Sequence, residues 1–272
     1  MQIAVWSNSN KSGTTLNACV LATVLAARHG YKTFLTHTLM NTIKMEKYLL
    51  KPQERQKKIN IGDSSIEALL RTCRNGKLSS DILHNFCQSL LSHSNLDLLD
   101  SQESFEETEE ENISFLYYLK VAKRFYDISV VDIDTKVSRE LQQKILEDSD
   151  VLLMISTPDQ FELEQLRVKK KEIEEQNKSV RIIVGINRYD ERSGISKNKL
   201  ITGFDRKKTF LLPYQVELQD HCNRSDLLDF VLRQLNSKRK DEMAEYINRF
   251  ESMVKEILLS YQQEENKEEA YA

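Results

Sequence analysis

The chain of 272 residues is long enough for one large α/β domain or for two small ones. About 40% of its residues are apolar and 30% are charged, as in soluble globular proteins, and the net charge of -3 gives no bulk argument for binding nucleic acid or a membrane. The four cysteines are scattered without a C-x-x-C pair, which indicates buried thiols in a reducing cytosol rather than a disulfide frame or a zinc site. No apolar run approaches 18 residues, so we expect a cytoplasmic protein with no membrane span and no signal peptide.

The first 38 residues predict a β-α-β unit. Ile3-Ala4-Val5-Trp6 is typical of a short buried strand, a polar segment at residues 7–15 follows it, and an apolar helix runs from Thr14 to a C-cap at Gly30. A second strand is predicted at residues 32–38. The right-handed crossover makes the two strands a parallel pair.

The middle of the chain has a weaker pattern. It predicts a short helix at 45–50, a basic surface segment at 55–58, a helix within 62–76 with a capping box from Ser64 to Glu67, a helix at 79–92, a strand at 96–99 and a solvated acidic loop at 101–112.

The second half returns to a regular alternation. It predicts helices at 113–125, 139–148, 225–235 and 238–261, strands at 126–132, 151–156, 180–186 and 209–212, a helix that begins with Thr157 as N-cap, a turn at 187–190 and a polar loop at 192–202. Strands that alternate with helices predict a doubly wound, mostly parallel α/β sheet flanked by helices. We expect residues 1–237 to form this domain, residues 238–262 an amphipathic helix and residues 263–272 an acidic tail.

The polar segment at residues 7–15, called the first loop below, has the position of a phosphate-binding loop. A strand that leads through small residues into a helix N-terminus points free backbone N–H groups at an anion. The pattern G-x-x-x-x-G-K-[ST] is nevertheless broken, because Ser7 and Ser12 stand at its glycines and Gly13 stands at its lysine. Only the hydroxyl pair Thr14-Thr15 remains.

Five segments, taken in their order along the chain, point to a known family. They are the first loop after Val5-Trp6, the strand end Thr36-His37-Thr38, the strand 126–132, the turn Ile186-Asn187-Arg188-Tyr189-Asp190, and the segment from Leu212-Pro213-Tyr214 to Arg224. In this order the chain resembles the ParA/MinD branch of P-loop ATPases over about residues 1–235. It resembles most closely the orphan ParA-like and TadZ-like proteins of Gram-positive bacteria.

The resemblance implies a phosphate site and a metal site. The phosphates of ATP or ADP would lie against Asn10, Lys11, Ser12, Gly13, Thr14 and Thr15, with Mg²⁺ between Thr14 and Asp132. The family carries two lysines in this loop, and Gly13 and Asn8 stand at their positions here. Lys11, two residues early, substitutes for them, or the loop no longer binds nucleotide well, or it binds an unrelated ligand. Asp132 is either the metal-side carboxylate or an ordinary turn residue at a strand end.

The resemblance also implies a binding site for the base and a slow rate of ATP hydrolysis. Asn187 would pair with the adenine edge, beside Arg188, and Pro213 would close the other side of the base. The alternative is that Asn187 is an ordinary turn residue. The family places an aspartate at the end of the second strand, where this chain has His37, which is either a base or a packed polar residue. With the lysine and the aspartate missing, we expect slow or absent ATP hydrolysis.

Partner surfaces are predicted at two places. The apolar residues of the last helix either pack on the chain's own domain or form a seam for a homodimer or another protein, and its mixed charges argue against an anionic membrane. The basic runs at 55–58 and 206–208 are either a DNA-binding patch or ordinary solvated surface.

Three functions follow from this sequence. The first is a positioning, partition or assembly factor for a plasmid, conjugative element or secretion or pilus machine, with a degenerate nucleotide loop. The alternatives are an ATP-dependent dimerising switch that hydrolyses slowly through Lys11, and a scaffold that binds a protein partner without nucleotide.

Overall fold

A computed structural model of the chain describes residues 1–38, 44–59, 66–91, 95–99 and 108–271. The strands in these ranges are β1 (Gln2–Trp6), β2 (Thr33–His37), β3 (Cys87–Ser89), β4 (Leu96–Leu99), β5 (Ile128–Asp132), β6 (Val151–Ser156), β7 (Arg181–Tyr189) and β8 (Thr209–Pro213). The helices are α1 (Thr14–His29), α2 (Lys44–Leu49), α3 (Pro52–Ile59), α4 (Ile66–Arg74), α5 (Ser80–Phe86), α6 (Glu109–Phe125), α7 (Arg139–Glu147), α8 (Gln160–Gln176), α9 (Lys197–Ile201), α10 (Val216–Arg224), α11 (Leu227–Leu235) and α12 (Glu242–Tyr271). No helix in the described part of the chain combines the length and hydrophobicity that a bilayer span requires.

The strands form one sheet in the order β3-β4-β2-β5-β1-β6-β7-β8. Every neighbouring pair is parallel except β3 with β4, so the predicted doubly wound, mostly parallel α/β fold is confirmed. β1 lies in the middle of the sheet, between β5 and β6. Its carboxyl end therefore opens onto the same edge as those of β5, β7 and β8, where ligands bind in sheets of this kind.

The core lies on both faces of this sheet. Alternate residues of β1 serve opposite faces, with Ile3 and Val5 in one apolar cluster and Ala4 and Trp6 in the other. Helices α1, α11 and α12 cover the face of Ile3 and Val5, while α6, α7 and α8 cover the opposite face. The first loop is thus carried by a strand and a helix that are both buried.

The long C-terminal helix α12 packs on this same core. Its apolar residues Met243, Tyr246, Ile247, Phe250, Met253, Val254 and Ile257 are all buried there. Of the two predicted uses of this helix, packing on its own domain accounts for these residues, which leaves them unavailable to a partner. The helix runs to Tyr271, beyond the predicted end at residue 261.

The segment predicted as one helix at 79–92 is a helix followed by a strand, so that prediction was wrong. α5 ends at Phe86, and Cys87–Ser89 then pair antiparallel with β4. The helical spacing of apolar residues persists through Leu90 and Leu91, but the pairing with β4 satisfies the backbone there. Strand pairing between distant segments does not show in the local periodicity.

The N-cap of α8 is Asp159 rather than the predicted Thr157. The Asp159 carboxylate accepts from the backbone N–H of Glu162 at 2.9 Å, while the Thr157 hydroxyl donates to the Glu162 side chain at 2.6 Å. Pro158 therefore precedes the cap instead of opening the helix. An anionic cap is favoured at the positive end of the helix dipole.

Other local predictions need smaller corrections. α6 begins within the predicted acidic loop, because Thr108 and Glu111 form a capping box at its start. The predicted box from Ser64 to Glu67 lies outside the described residues in its Ser64 half. The sequence did not predict α10, the helix α3 at the basic segment 55–58 or the helix α9 in the polar loop at 192–202. The predicted turn at 187–190 is mostly strand, since β7 continues to Tyr189 through an irregularity after Ile186.

Candidate functional site

The first loop turns into α1 through two residues in the left-handed conformation. Lys11 has φ 64° and Gly13, the N-cap of α1, has φ 98°. No side chain caps the helix N-terminus, and the first turn of α1 has no acidic residue. Its first N–H groups and its positive dipole end are therefore available to an anion.

Hydrogen bonds within the chain hold the loop in this shape. Ser12 Oγ donates to the Ser9 carbonyl at 3.2 Å, and Asn17 Nδ2 donates to the Gly13 carbonyl at 2.9 Å. Asn10 Oδ1 accepts from the Thr135 hydroxyl, beyond the end of β5. Asn10 is therefore connected to the segment that follows β5.

Asn8 and Asn187 anchor the loop to more distant elements. Asn8 Nδ2 donates to the Glu162 carbonyl in α8 at 3.2 Å, so this residue is engaged within its own chain. Asn187 Nδ2 donates to the Ser12 carbonyl at 3.0 Å, and both residues are buried. The Asn187 side chain thus fastens β7 to the loop, and its proposed contact with a base stays a prediction.

A pocket of about 240 Å³ lies between the first loop and the ends of β7 and β8. It brings together the predicted residues Lys11, Gly13, Asn187, Arg188 and Pro213. The other residues around it are Leu16, Lys44, Tyr48, Tyr214, Gln215, Leu218, Gln219, Cys222 and Tyr246. Within the described residues its lining includes three cations, Lys11, Lys44 and Arg188, and no carboxylate. Such a pocket selects for an anionic ligand.

The predicted metal-side carboxylate, Asp132, lies on the other flank of the loop. It is 5% exposed, and burial raises its pKa, against the lowering effect of a hydrogen bond with Thr15 and of the charges of His37 and Lys44. Of the two loop threonines, Thr15 is buried and Thr14 is half-buried.

The residues around Asp132 fit a magnesium ion. Asp132 Oδ1 is buried and has no hydrogen-bond partner among the described residues. Those residues contain no cluster of three or more His, Cys, Asp or Glu side chains that would form an all-protein metal cage. Mg²⁺ keeps several waters and uses few carboxylates when it accompanies phosphates, so one carboxylate beside a threonine is a suitable donor set.

His37 has a buried acidic partner that the sequence did not reveal. Its Nε2 lies 3.3 Å from Glu46 Oε1, with His37 4% and Glu46 3% exposed. His37 also lies opposite Asp132 in the register of β2 and β5. Of the two interpretations of His37, a packed polar residue and a base, this contact accounts for its packing. Its chemical role remains a prediction.

The predicted residues thus separate into two groups. Lys11, Gly13, Asn187, Arg188 and Pro213 line the pocket, whereas the buried Thr15 and Asp132 are not part of its lining. Ser12 is buried beneath both groups, and Asn10 points to Thr135. Sequence reasoning missed Lys44 because the predicted helix at 45–50 begins after it. It missed Tyr48 and Tyr246 as pocket residues because it assigned both to the apolar faces of predicted helices.

A larger groove of about 820 Å³ runs between α7 and α8, beside residues 7–9. Its lining mixes Arg139 and Lys169 with Glu147, Glu162 and Glu172, and includes the exposed ring of Phe161. This balance of charges gives no preference for an anion. We therefore place the candidate site in the smaller pocket.

Comparison with family models finds no match, and neither does comparison with curated proteins. Solved structures do match over nearly the whole chain. A plasmid partition protein of Borrelia burgdorferi bound to AMPPNP is 18% identical with a TM-score of 0.68, and the match covers 94% of this chain and 98% of that one.

Two further matches are of the same kind. The septum site-determining protein MinD of Pyrococcus horikoshii with Mg-ADP is 13% identical with a TM-score of 0.67, covering 94% of this chain and 95% of that one. A ParA family ATPase of Chlorobium tepidum is 16% identical with a TM-score of 0.66, covering 93% and 96%. The chain therefore has the fold of the ParA/MinD-type P-loop ATPases. At these identities the likeness establishes the fold alone.

Proposed function

We propose that this chain is a ParA/MinD-like positioning, partition or assembly factor that binds ATP or ADP with Mg²⁺ at its first loop. The cargo would be a plasmid, a conjugative element or a secretion or pilus machine. The observation that carries the proposal is the pocket of about 240 Å³ with three cations and no carboxylate in its described lining, set against a helix N-terminus without a side-chain cap. Structures of the same fold bear AMPPNP or Mg-ADP, which supports a nucleotide as the ligand.

Different residues of the chain bind the phosphates, the metal ion and the rest of the nucleotide. The N–H groups at the start of α1 bind phosphate oxygens, and the Lys11 ammonium neutralises their charge. Thr14 and Asp132, the latter through water, would hold Mg²⁺, which when bound would supply charge neutralisation at the phosphates. The ring of Pro213 closes the opposite wall of the pocket, beside the exposed Arg188.

Slow or absent hydrolysis is part of the proposal. Gly13 brings no ammonium to the position of the family's lysine, and Asn8 donates to the Glu162 carbonyl within its own chain. His37 is held by Glu46. Two cations and an aspartate that support phosphoryl transfer in the family are therefore replaced by groups with other contacts.

The dimerising switch remains the main alternative. It requires two chains to face each other across the first loop when ATP is bound. Light scattering of the full chain with and without Mg-ATP measures this directly. A doubling of mass only with Mg-ATP favours the switch, while an unchanged mass with bound nucleotide favours a binding-only factor.

Thermal unfolding with millimolar Mg-ATP or Mg-ADP tests nucleotide binding. A ligand at 100 times its dissociation constant adds about 2.7 kcal/mol to the free energy of unfolding. We expect Lys11→Ala to reduce this gain and Lys178→Ala, an exposed lysine outside the pocket, to leave it unchanged. If neither nucleotide changes the unfolding temperature, the proposal is wrong and the scaffold that binds a protein partner without nucleotide is favoured.

DNA binding is a separate part of the proposal. Arg55 approaches Ser225 Oγ at 3.5 Å, and Arg206 donates to Asn198 at 3.3 Å, so the two basic segments contact different elements. If either segment binds DNA, the affinity must fall steeply with added salt. Binding that is indifferent to salt would refute an electrostatic site.

A further inference from the structure

The helix α2 brings a cation to the pocket. Lys44 is its first residue, and its side chain lines the pocket together with Lys11 and Gly13. In the sequence Lys44 lies 31 positions after Gly13, in a stretch without a phosphate-binding pattern. Only the fold brings the two together.

The position of Lys44 is set by the buried side of its helix. Met45 and Leu49 are packed in the core at 0% and 4% exposure. Glu46 is 3% exposed and lies 3.3 Å from His37 at the end of β2. The helix is therefore anchored on both sides, while the Lys44 stem extends from its exposed start.

The Lys44 ammonium is committed to no acidic partner in the part of the chain that the structure describes. Its Nζ lies over the ring of Tyr48, 5.9 Å from the ring centroid. Burial raises the pKa of both Asp132 and Cys222, and the charge of Lys44 opposes part of that rise at each group. A lysine in this place is free to turn toward an incoming anion.

Gly13 leaves the first loop without an ammonium group at the position of the family's lysine. The loop has Lys11 as its only cation, two residues before Gly13 and in a left-handed backbone conformation. We propose that Lys44, supplied by α2, binds the phosphates of the nucleotide in place of the loop lysine that Gly13 replaces. This inference rests on the proposed nucleotide site and assigns part of its binding to a residue outside the first loop.

The test compares five forms of the full chain: the natural sequence, Lys44→Ala, Lys44→Arg, Lys11→Ala and Lys47→Ala. Lys47 is the matched control, because it is exposed on the same helix and does not line the pocket. Equilibrium dialysis measures the dissociation constants of Mg-ATP, Mg-ADP and adenosine. The unfolding temperature of each free form checks that the fold is intact.

We expect Lys44→Ala to weaken the binding of Mg-ATP by about tenfold or more, since the variant loses a hydrogen bond between an ammonium and the phosphates. Lys47→Ala should stay within about twofold, as expected of an exposed charge away from the ligand. Adenosine, which has no phosphate, should bind Lys44→Ala and the natural sequence equally. Lys44→Arg should retain most of the affinity.

Two results would overturn the inference in distinguishable ways. If the natural sequence binds Mg-ATP and Lys44→Ala binds it as tightly as Lys47→Ala does, the inference is wrong and the proposed function stands. If the natural sequence binds neither Mg-ATP nor Mg-ADP, the proposed function fails and the inference fails with it.

Discussion

The amide nitrogen of Asn187 occupies the space that a side chain on Gly13 would need. A Cβ placed on residue 13 would lie 2.3 Å from Asn187 Nδ2, well inside van der Waals contact. The same nitrogen donates to the Ser12 carbonyl, so moving it breaks a buried hydrogen bond. The absence of a lysine at residue 13 therefore leaves the space that the Asn187 side chain occupies.

The first prediction concerns a side chain at residue 13. Gly13→Ala should cost about 2–3 kcal/mol, because it adds left-handed backbone strain and displaces Asn187. Gly30→Ala is the matched control, with φ 74° and open space around the new Cβ, and should cost only about 1 kcal/mol. Urea unfolding measures both. If the two variants lose the same free energy of unfolding, the contact with Asn187 adds no cost to a side chain at residue 13.

A double variant isolates the contact between the two residues. If Asn187 causes the extra cost, Gly13→Ala with Asn187→Ala should destabilise the protein by less than the sum of the single variants. Gly13→Lys meets the same backbone barrier, so we expect it to destabilise the protein rather than to restore hydrolysis. A stable, hydrolysing Gly13→Lys variant would contradict this interpretation.

The second prediction concerns the choice of base. Because Asn187 Nδ2 is engaged with Ser12, the pocket should discriminate ATP from GTP by less than about tenfold. Sites built to hydrogen-bond a particular edge discriminate far more strongly. Competition between the two nucleotides measures the ratio. A strong preference for ATP that Asn187→Ala abolishes would assign Asn187 to the base instead.

The pattern near the N-terminus was enough to predict the unit β1-α1-β2 and the left-handed C-cap at Gly30. Those features depend on neighbouring residues, since an apolar strand, an apolar helix and a glycine stop are all local signals. The resemblance of ordered motifs then predicted which strand ends surround the loop. The partner that holds the loop was not predicted, because Ser12 and Asn187 are 175 residues apart.

The errors have a common physical origin. β3 exists because β4 offers it hydrogen bonds, and Lys44 reaches the pocket because Met45 and Leu49 are packed beneath it. Neither effect alters the local spacing of apolar residues. Asp159 replaced Thr157 as the N-cap because two plausible caps lie two residues apart, and only the geometry of Glu162 N–H distinguishes them.

The third prediction concerns the pH dependence of stability through Asp132. Burial raises its pKa, so the folded state disfavours its ionised form more than the unfolded state does. Its contribution to stability is full below the ordinary aspartate pKa of about 3.9 and is lost as the pH rises through the raised value. Asp132→Asn should therefore be more stable than the natural sequence at pH 8, by on the order of 1 kcal/mol.

The advantage of Asp132→Asn should shrink as the pH falls from 8 toward 4. Asp190 is a control with the opposite shift, since hydrogen bonds with Arg192 lower its pKa to about 2. Asp190→Asn should show a small difference of the other sign that stays flat between pH 8 and 5, because Asp190 is ionised throughout that range in both states. Thermal unfolding across this range decides the matter. A natural sequence that is more stable than Asp132→Asn at pH 8 would be inconsistent with a costly buried charge.

The fourth prediction contrasts two buried tyrosines. The Tyr246 hydroxyl on α12 is buried and has no hydrogen-bond partner among the described residues, whereas the Tyr126 hydroxyl donates to the fully buried Asp97 at 2.6 Å. Tyr246→Phe removes an unsatisfied polar atom, so it should leave the free energy of unfolding unchanged or raise it by up to about 1 kcal/mol. Tyr126→Phe takes a partner from a buried carboxylate and should cost about 1–3 kcal/mol.

Urea unfolding of the ligand-free chain compares the two variants at the same loss of one oxygen atom. The volume change is identical, so the difference between them reports only the hydrogen bond. Because Tyr246 also lines the pocket, its variant should be measured again with Mg-ATP. If Tyr246→Phe destabilises the free protein as much as Tyr126→Phe does, the Tyr246 hydroxyl has a hydrogen-bond partner in solution. The pocket beside Tyr246 would then contain a polar group that pairs with this hydroxyl.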